Sequence, residues 1–498
     1  MYRERDFDLH HEPPINEQAL IQDLGLNMLF EAMAADDKFL AEVAKKAVLS
    51  SETNPETILY RQNILQDSLQ NSAVVKSIYD IAVEAVEGEK RNSWLFSWKH
   101  PGLILSRSIQ VLQMFTGELK RLKRIAEQHA GEFASKGWSR LFEMLKSEFN
   151  DEYLAALEKC LNELKGRDGL LVSAELKEGN KGVNYIPRKP NEATSTWRSR
   201  LFGPKGQSYT YQVHPRDESG NNALAELRDR GINRVANSLA QSVDHILGFF
   251  CSLRAEVAFY IGCTNLRERL VQKDAPTCWP SVLAASQRQH VFTGLFDVCL
   301  ALSLERSVVG NEADAGRKEL VIITGANQGG KSTFLRSIGL AQLMMQCGMF
   351  VPARAFCANV CESLFTHFRR EEDVAMKSGK LDEELARMSE IVSQLRPNAM
   401  ILFNESFAAT NEREGSEIAR QIVRALLESH IKVFFVTHLY EFAHGFYEIG
   451  KEHALFLRAE RRPDGGRSFR LTEGEPEQTS YGKDLYEKIF NSDQADTA

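Results

Sequence analysis

The feature that most constrains the fold of this chain is the segment GANQGGKS at residues 325–332. It fits the pattern G-x-x-x-x-G-K-[S/T] at every fixed position. The apolar run LVIIT precedes it, and the helical pattern STFLRSIGLAQLMM follows from Ser332. In that context, backbone N–H groups and a helix N-terminus together bind phosphate. A chance match in a glycine-rich turn would not explain the flanking strand and helix, so the motif predicts a phosphate-binding loop in an α/β domain.

Each residue of the loop has an expected role. Lys331 can reach the β- and γ-phosphates of a nucleotide, and the Ser332 hydroxyl can ligate Mg²⁺. The expected cofactors are therefore ATP and Mg²⁺. Thr333 is included in the nucleotide site, although its hydroxyl is expected to cap or pack within the helix. The other expected nucleotide-binding residues are Gly325, Ala326, Asn327, Gln328, Gly329 and Gly330.

Two further apolar runs lead into polar residues. MILF at 400–403 is followed by Asn404 and Glu405, and KVFFVT at 432–437 by His438. Because the carboxyl ends of parallel strands face the ligand crevice, we expect these side chains to meet Lys331. Glu405 would orient or deprotonate the attacking water, and His438 would sense the γ-phosphate. Most phosphate-loop ATPases have Asp where this chain has Asn404, so the expected contact to the metal is an amide.

The two halves of the chain differ in the spacing of their apolar residues. Apolar residues recur every three or four positions over 105–126 and 232–257, which predicts two long helices in the first half. In the second half, short β-rich runs alternate with helical stretches, which predicts a largely parallel sheet. A hairpin is expected around residues 464–466. The predicted fold class is α/β plus all-α, with a helical domain at 1–290 and an α/β domain at 291–498.

The segment 166–220, an insertion between the two predicted helices, differs in composition from the helical sequence on either side. GLLVSAEL and SYTYQVH resemble short strands, and the stretch from Lys181 to Lys205 between them carries six basic residues against one acid, Glu192. Aromatic side chains lie among these cations, a combination that can grip a nucleic-acid backbone. A solvated loop with no partner is the alternative interpretation. The candidate DNA-binding residues are Lys181, Arg188, Lys189, Arg198, Arg200 and Lys205.

The bulk properties narrow the class of protein. The net charge of −7 excludes a chain that is basic throughout, but it permits a local basic patch. No secretory h-region and no run of about 18 apolar residues is found, so neither secretion nor a membrane span is expected. The eight cysteines are scattered, with Cys357 and Cys361 four positions apart. We interpret them as free thiols in a reducing cytoplasm rather than as disulfides or a metal site.

Taken together, these segments resemble the MutS mismatch-repair ATPases, which have nucleotide domains of the ABC type. TGANQGGKSTFLRSIGLAQLMMQCGMFVPA is similar to the family's Walker A segment, and ILFNESFAATNEREG to its Asp-Glu stretch. FVTHLYEF resembles the histidine switch, SGKLDEELARM the signature region, and TSYGKDLYEKI the segment that closes the domain. The resemblance covers about residues 295–490. It extends less clearly to TILYRQNILQDSLQN, which resembles the start of the helical core, and to the long helix from 222, which resembles the lever.

The resemblance implies a specific architecture. Residues 1–290 would be the core and lever, with the 166–220 insertion in the place of a short DNA clamp, and 291–498 the ATPase domain. Ser378 and Gly379 would face the nucleotide of a partner subunit, so a homodimer on DNA is implied, with no membrane partner. The chain is short for the family. The mismatch-reading domain and the carboxyl-terminal dimerisation helices are expected to be absent, and mismatch recognition is not carried over.

Other functions remain alternatives at this point. The main one is a nucleotide-gated structural or regulatory protein with little turnover, which Asn404 favours. An ABC transporter subunit would carry a Leu-Ser-Gly-Gly-Gln signature, which is not present. A chromosome-structure ATPase would separate Lys331 from Asn404 by a long coiled coil, whereas Asn404 follows Lys331 by only 73 positions. The leading hypothesis is a MutS-like ATPase of DNA repair or recombination, cytoplasmic or associated with the nucleoid.

Overall fold

The computed structural model describes residues 1–93, 101–165, 172–178, 181–187, 214, 216–370, 379–450, 452–462 and 465–478. Its α-helices are α1 Glu17–Leu24, α2 Leu26–Ala34, α3 Lys38–Leu49, α4 Pro55–Gln70, α5 Ser72–Ser93, α6 Pro101–His129, α7 Lys136–Glu148, α8 Asp151–Leu164, α9 Glu218–Gln272, α10 Val298–Ser303, α11 Lys331–Gln346, α12 Lys380–Gln394, α13 Glu412–Glu428 and α14 Tyr440–Ile449. Its strands are β1 Val172–Lys177, β2 Lys181–Pro187, β3 Ser281–Leu283, β4 His290–Leu295, β5 Asn311–Asp314, β6 Leu320–Gly325, β7 Ala355–Asn359, β8 Leu364–Phe368, β9 Met400–Asn404, β10 Lys432–Val436, β11 Ala454–Arg461 and β12 Arg467–Glu473.

The chain divides into two compact units. The first contains residues 1–72, 135–137 and 255–498, and the second contains residues 73–134 and 138–254. Helix α9 is continuous through residue 254, where the division falls.

A six-stranded sheet forms the centre of the first unit, in the order β12-β11-β6-β10-β9-β8. All neighbours are parallel except β12, which pairs antiparallel with β11. Strands β6 and β10 are buried along their whole length, as expected for parallel strands covered on both faces. The stacked rings of Phe403 and Phe435, 4.8 Å apart, mark the middle of this core. The parallel arrangement places the carboxyl ends of β6, β9 and β10 side by side.

The first 72 residues pack onto this α/β core. In α11, a Cβ added at Gly339 would lie 2.8 Å from the side chains of both Leu24 and Leu402, so the glycine allows α1 and β9 to approach closely. Asn16 also donates a side-chain hydrogen bond of 2.7 Å to the carbonyl of Leu364 in β8. This contact partly covers the edge strand of the sheet, which would otherwise expose unpaired backbone groups.

A second sheet of the first unit has the order β3-β7-β4-β5. Strand β4 pairs antiparallel with both β5 and β7. Asn311 of β5 joins this sheet to β12, because its side chain donates to the carbonyl of Phe469 at 3.2 Å and accepts from the N–H of Leu471 at 2.8 Å. Strand β12, which is distant in sequence, is thereby held beside the loop at 325–332.

The second unit is helical. Phe115 of α6 and Phe250 of α9 meet with ring centroids 5.3 Å apart, and both side chains are fully buried. The two long helices predicted over 105–126 and 232–257 are therefore present and longer than their apolar stripes. Strands β1 and β2 pair antiparallel in the insertion, which confirms the first strand predicted there. The second predicted strand, SYTYQVH, lies outside the described residues apart from His214.

The coarse fold prediction is confirmed: the chain combines many helices with a mixed α/β domain. The hairpin is present as β11–β12. The compact units group residues 255–290 and 1–72 with the α/β core, whereas the predicted domain boundary lies near 290. This grouping depends on contacts between segments that are far apart in the sequence. Apolar periodicity does not predict such contacts.

One result differs from the expectation about membranes. Within the described residues, Asp229–Gln272 of α9 is long and apolar enough to cross a bilayer, with a mean hydropathy of 1.5 over its most apolar 18 residues. Half of that stretch is buried inside the protein, and the core helix of a soluble protein can have the same length and composition. The eight cysteines are free, and four of them are buried.

Candidate nucleotide site

The segment 325–332 forms a tight loop between β6 and α11. Gly325 and Gly330 have φ of 101° and 89°, values that favour glycine. A Cβ at Gly329 would lie 2.6 Å from Cβ of Ala459 and 2.9 Å from the carbonyl oxygen of Ala326. Gln328 also has a positive φ, 59°. The backbone is thus held in a curve that a larger side chain at Gly329 would disturb, and α11 starts directly at Lys331.

Lys331 is buried beneath this loop. Its Nζ donates to the carbonyl oxygens of Gly325 at 2.9 Å and Ala326 at 3.0 Å. Burial lowers the pKa of Lys331 to about 8; the charge of Glu405 opposes this shift and that of Arg467 adds to it. An anion beside the amine would favour its protonated form, so the site is suited to a ligand with negative charge.

Ser332 and Asn404 are in direct contact. The Ser332 hydroxyl donates to Oδ1 of Asn404 at 2.9 Å, so two oxygen atoms from α11 and β9 lie side by side next to the loop. Oxygen donors of this kind are those that Mg²⁺ prefers. The pair therefore fits the metal that the motif implies.

Glu405 follows β9 in a strained turn. Its φ is 55° and that of Phe407 is 62°. Left-handed conformations at residues other than glycine cost roughly 1–3 kcal/mol each and cluster at functional sites. The Glu405 N–H donates to the carbonyl of Val436 at 2.9 Å, which ties the turn to β10.

The carboxylate of Glu405 pairs with His438. Oε1 lies 3.0 Å from Nε2 of the histidine, and both side chains are 30% exposed. This hydrogen bond holds the pKa of Glu405 below its usual range; burial opposes the shift, and the charges of His438 and Lys331 assist it. Glu405 is thus an ionised base in a half-buried position that water can reach. The structure brings together Lys331, Ser332, Asn404, Glu405 and His438.

The loop opens into a cleft of about 650 Å³. Leu300, Leu304 and Val309 line this cleft together with the loop residues 327–333, including Thr333. A cleft that combines apolar side chains with convergent polar groups can hold a small molecule.

Two residues of this cleft were not predicted from the sequence. Arg467 of β12 donates from Nε to the carbonyl of Asn327 at 3.0 Å and places a second cation beside the loop. Phe469, 43% exposed and with φ of 60°, lies next to Gly330. Both belong to an edge strand that follows the motif by more than 130 residues, and an isolated Arg or Phe in a hairpin carries no local signal.

The other predicted site residues are only partly visible. Gly379 caps the start of α12 with extended backbone, and Ser378 lies outside the described residues. Of the candidate DNA-binding residues, Lys181 begins β2. The other five lie outside the described residues: Arg188, Lys189, Arg198, Arg200 and Lys205. Among the residues that the structure does describe, no cluster of three His, Cys, Asp or Glu side chains is placed to hold a metal.

Two protein-family models match the chain. The MutS2 N-terminal domain matches residues 53–273, and MutS domain V matches residues 321–491. The second match contains the loop, β9 and β10, and the first contains most of the helical unit.

Individual relatives agree with these matches. The chain is 28% identical over 301 residues to the DNA mismatch repair protein MutS of Synechococcus sp. (strain WH7803), which is 57% of this chain and 33% of the relative. It is 27% identical over 229 residues to the DNA mismatch repair protein MutS of Clostridium kluyveri, which is 44% of this chain and 24% of the relative. The MutS protein homolog 4 of Mus musculus is 31% identical over 143 residues, which is 29% of this chain and 15% of the relative. The chain therefore spans a third or less of these relatives.

Proposed function

Because the chain belongs to the MutS family, we propose that it is a DNA-binding ATPase in which ATP binding and hydrolysis close and reopen a dimer on DNA. The observation that carries the ATPase part is that Lys331, Ser332 and Glu405 line one cleft, with Ser332 hydrogen-bonded to Asn404 and Glu405 to His438. By analogy with the family, we propose an ABC-type nucleotide domain at 291–498 and a core and lever domain at 1–290, of which residues 1–72 and 255–290 pack with the nucleotide domain.

Phosphate binding would be the first step. The loop amides and the N-terminus of α11 point at the site where the phosphates would lie. Lys331 would exchange its two carbonyl partners for the β- and γ-phosphates, and binding would keep its amine protonated although it is buried. Arg467 would add a second positive charge next to Asn327. Substitution of Lys331 should therefore weaken ATP binding itself.

Ser332 and Asn404 are the residues that would hold Mg²⁺. When bound, the metal would supply charge neutralisation at the phosphates. Asn404 is neutral, so it contributes an amide oxygen where an acid would contribute charge. That difference predicts slow turnover with a raised demand for Mg²⁺.

Glu405 would take the proton from the attacking water. Its lowered pKa keeps the carboxylate ionised near neutral pH, and the hydrogen bond to His438 fixes its orientation. His438 would in addition contact the γ-phosphate. The apolar side chains that line the cleft, among them Phe469, would contact the nucleoside.

DNA binding and dimerisation are proposed from the family. Two of the relatives reported above are named DNA mismatch repair proteins, and the basic residues 181–205 suit a phosphate backbone. Ser378 and Gly379 would face the nucleotide of a second copy. A cytoplasmic or nucleoid location would follow from this role.

A nucleotide-gated regulatory protein with little turnover is the second candidate, and Asn404 favours it. A phosphate-release assay with and without DNA, together with a gel-shift assay at low salt, distinguishes the two functions. We expect slow release, faster with DNA, and a salt-dependent shift that weakens when Lys189, Arg198 and Arg200 are changed to Ala. Absence of any shift at low salt would remove DNA from the proposal, and absence of release would favour the regulatory protein.

A further inference from the structure

The turn that carries Glu405 is held in place by a network of buried hydrogen bonds and ring contacts. Glu405 and Phe407 have positive φ on either side of Ser406. Neither residue is glycine, so packing and hydrogen bonds must maintain this conformation. The contacts come from two elements outside β9, namely β8 and α12.

His367 of β8 is the first support. Its Nδ1 lies 2.7 Å from Oγ of Ser406, and that hydroxyl also lies 2.6 Å from the carbonyl oxygen of His367. The imidazole stacks on the ring of Phe407, with centroids 5.3 Å apart and planes inclined by 20°. His367, Ser406 and Phe407 are all completely buried. The histidine therefore contacts both residues that follow Glu405.

Glu384 of α12 is the second support. Its Oε2 accepts a hydrogen bond of 2.7 Å from the N–H of Phe407, and its own carbonyl oxygen lies 3.0 Å from Nε2 of His367. Glu384 is buried, with 7% of its surface exposed. A carboxylate in such a place costs free energy unless it is hydrogen-bonded, so its contact with the turn is specific rather than incidental.

The protonation state of His367 agrees with this geometry. Burial, followed by the charge of Arg387, lowers the pKa of His367 to about 4, so the ring is neutral near pH 7. A neutral ring can donate from Nε2 to the carbonyl of Glu384, and the single hydroxyl proton of Ser406 is then shared between Nδ1 and the carbonyl oxygen of His367. In this tautomer the imidazole bridges α12 and the turn.

We propose that Glu384 and His367 are positioning residues for ATP hydrolysis, which hold the Glu405–Phe407 turn so that the Glu405 carboxylate stays against His438 and faces the phosphate loop. The inference rests on the proposed ATPase function. It assigns these two residues to the rate of hydrolysis and not to the binding of ATP, because neither lines the nucleotide cleft. Helix α12 begins at Lys380, next to Gly379, so the turn is joined to the helix that follows the signature segment.

The test compares Glu384→Ala with Glu384→Gln in the full chain. Glutamine keeps a carbonyl oxygen that can accept from the N–H of Phe407, whereas alanine removes it. A displacement of about 1 Å at a catalytic group can cost about 100-fold in rate. We therefore expect Glu384→Ala to lower kcat by up to that factor with the Kd of a non-hydrolysable ATP analogue unchanged, and Glu384→Gln to restore most of the rate. Glu390→Ala, an exposed position on the same helix, is the matched control and should retain the wild-type rate.

Several results would overturn the assignment. An unchanged kcat in Glu384→Ala, or an equal loss of analogue affinity and rate, would show that Glu384 does not position the base. If Glu384→Ala does not fold, Ser406→Ala replaces it, because it removes the hydroxyl that joins the turn to His367; a wild-type rate in that variant has the same meaning. Wild-type protein that releases no phosphate would overturn the proposed function together with this inference, whereas hydrolysis that is insensitive to both variants would overturn this inference alone.

Discussion

In the proposed ATPase, Asn404 would lie next to Mg²⁺. Its amide oxygen accepts the hydrogen bond of Ser332, the same contact that a carboxylate would make. The position of the oxygen is thus the same, while one negative charge is missing next to the expected Mg²⁺ position. The other residues proposed for the reaction are Lys331, which the loop motif predicts, and Glu405 and His438, which the ends of two strands predict.

Replacement of Asn404 by Asp should therefore improve turnover. A carboxylate next to the metal is worth about 10- to 100-fold in metal affinity or activity on the usual scale for outer-shell partners. We expect Asn404→Asp to lower the Mg²⁺ concentration for half-maximal phosphate release, or to raise the maximal rate. A Mg²⁺ titration of both proteins measures this, and identical curves would contradict the role given to Asn404.

His367 should make stability depend on pH. Its pKa is lowered from 6.5 to about 4 in the folded chain, so the unfolded chain takes up the proton first as the pH falls. The stabilisation is present in full above pH 6.5 and is lost between 6.5 and 4. Between pH 7.5 and 5 this loss amounts to about 2 kcal/mol.

Urea unfolding of the wild type and of His367→Gln at the two pH values tests this dependence. The variant should lose about 2 kcal/mol less than the wild type on acidification, since it lacks the titrating group. His290, the other buried histidine with a lowered pKa, is present in both proteins and serves as the internal reference. An equal loss in both proteins would show that His367 titrates normally.

At the scale of elements, the strands around the loop were predictable and their partners were not. β6, β9 and β10 are apolar runs bounded by polar residues, so sequence reasoning finds them within about a residue. The positions of Arg467 and Phe469 beside the loop, and of His367 against the Glu405 turn, depend on which strands become neighbours. That order is set by packing between segments far apart in the chain, which local periodicity does not encode.

Substitution of two glycines by alanine separates the effect of crowding in the loop from the effect of helix propensity. Gly329 has no room for a Cβ, whereas Gly117 in α6 has nothing within 4 Å of a Cβ. Gly329→Ala should destabilise the protein by about 1–3 kcal/mol through overpacking and should weaken ATP binding. Gly117→Ala should stabilise it by about 0.5–1 kcal/mol, because alanine is the better residue inside a helix. Unfolding free energies of the two variants check this, and a neutral Gly329→Ala would contradict the crowded loop.

At the scale of the whole molecule, the amino-terminal helices belong with the α/β core. Residues 1–72 pack with residues 255–498 in one compact unit, through contacts such as Leu24 with the helix that follows the loop. The helical character of the first half was predictable from its apolar stripes. The division of that half between two compact units was not predictable. An apolar stripe shows which face of a helix is buried, but it does not show which element packs against that face.

The central claim is that this chain hydrolyses ATP with Glu405 as the base. The most direct measurement is phosphate release from Mg²⁺-ATP by the wild type and by Glu405→Gln, with ATP affinity measured on both proteins. We predict slow release by the wild type and at least a 100-fold lower rate in the variant, the usual effect of losing a general base, with similar affinity for ATP. Equal rates in the two proteins, or a wild type that does not bind ATP, would contradict it.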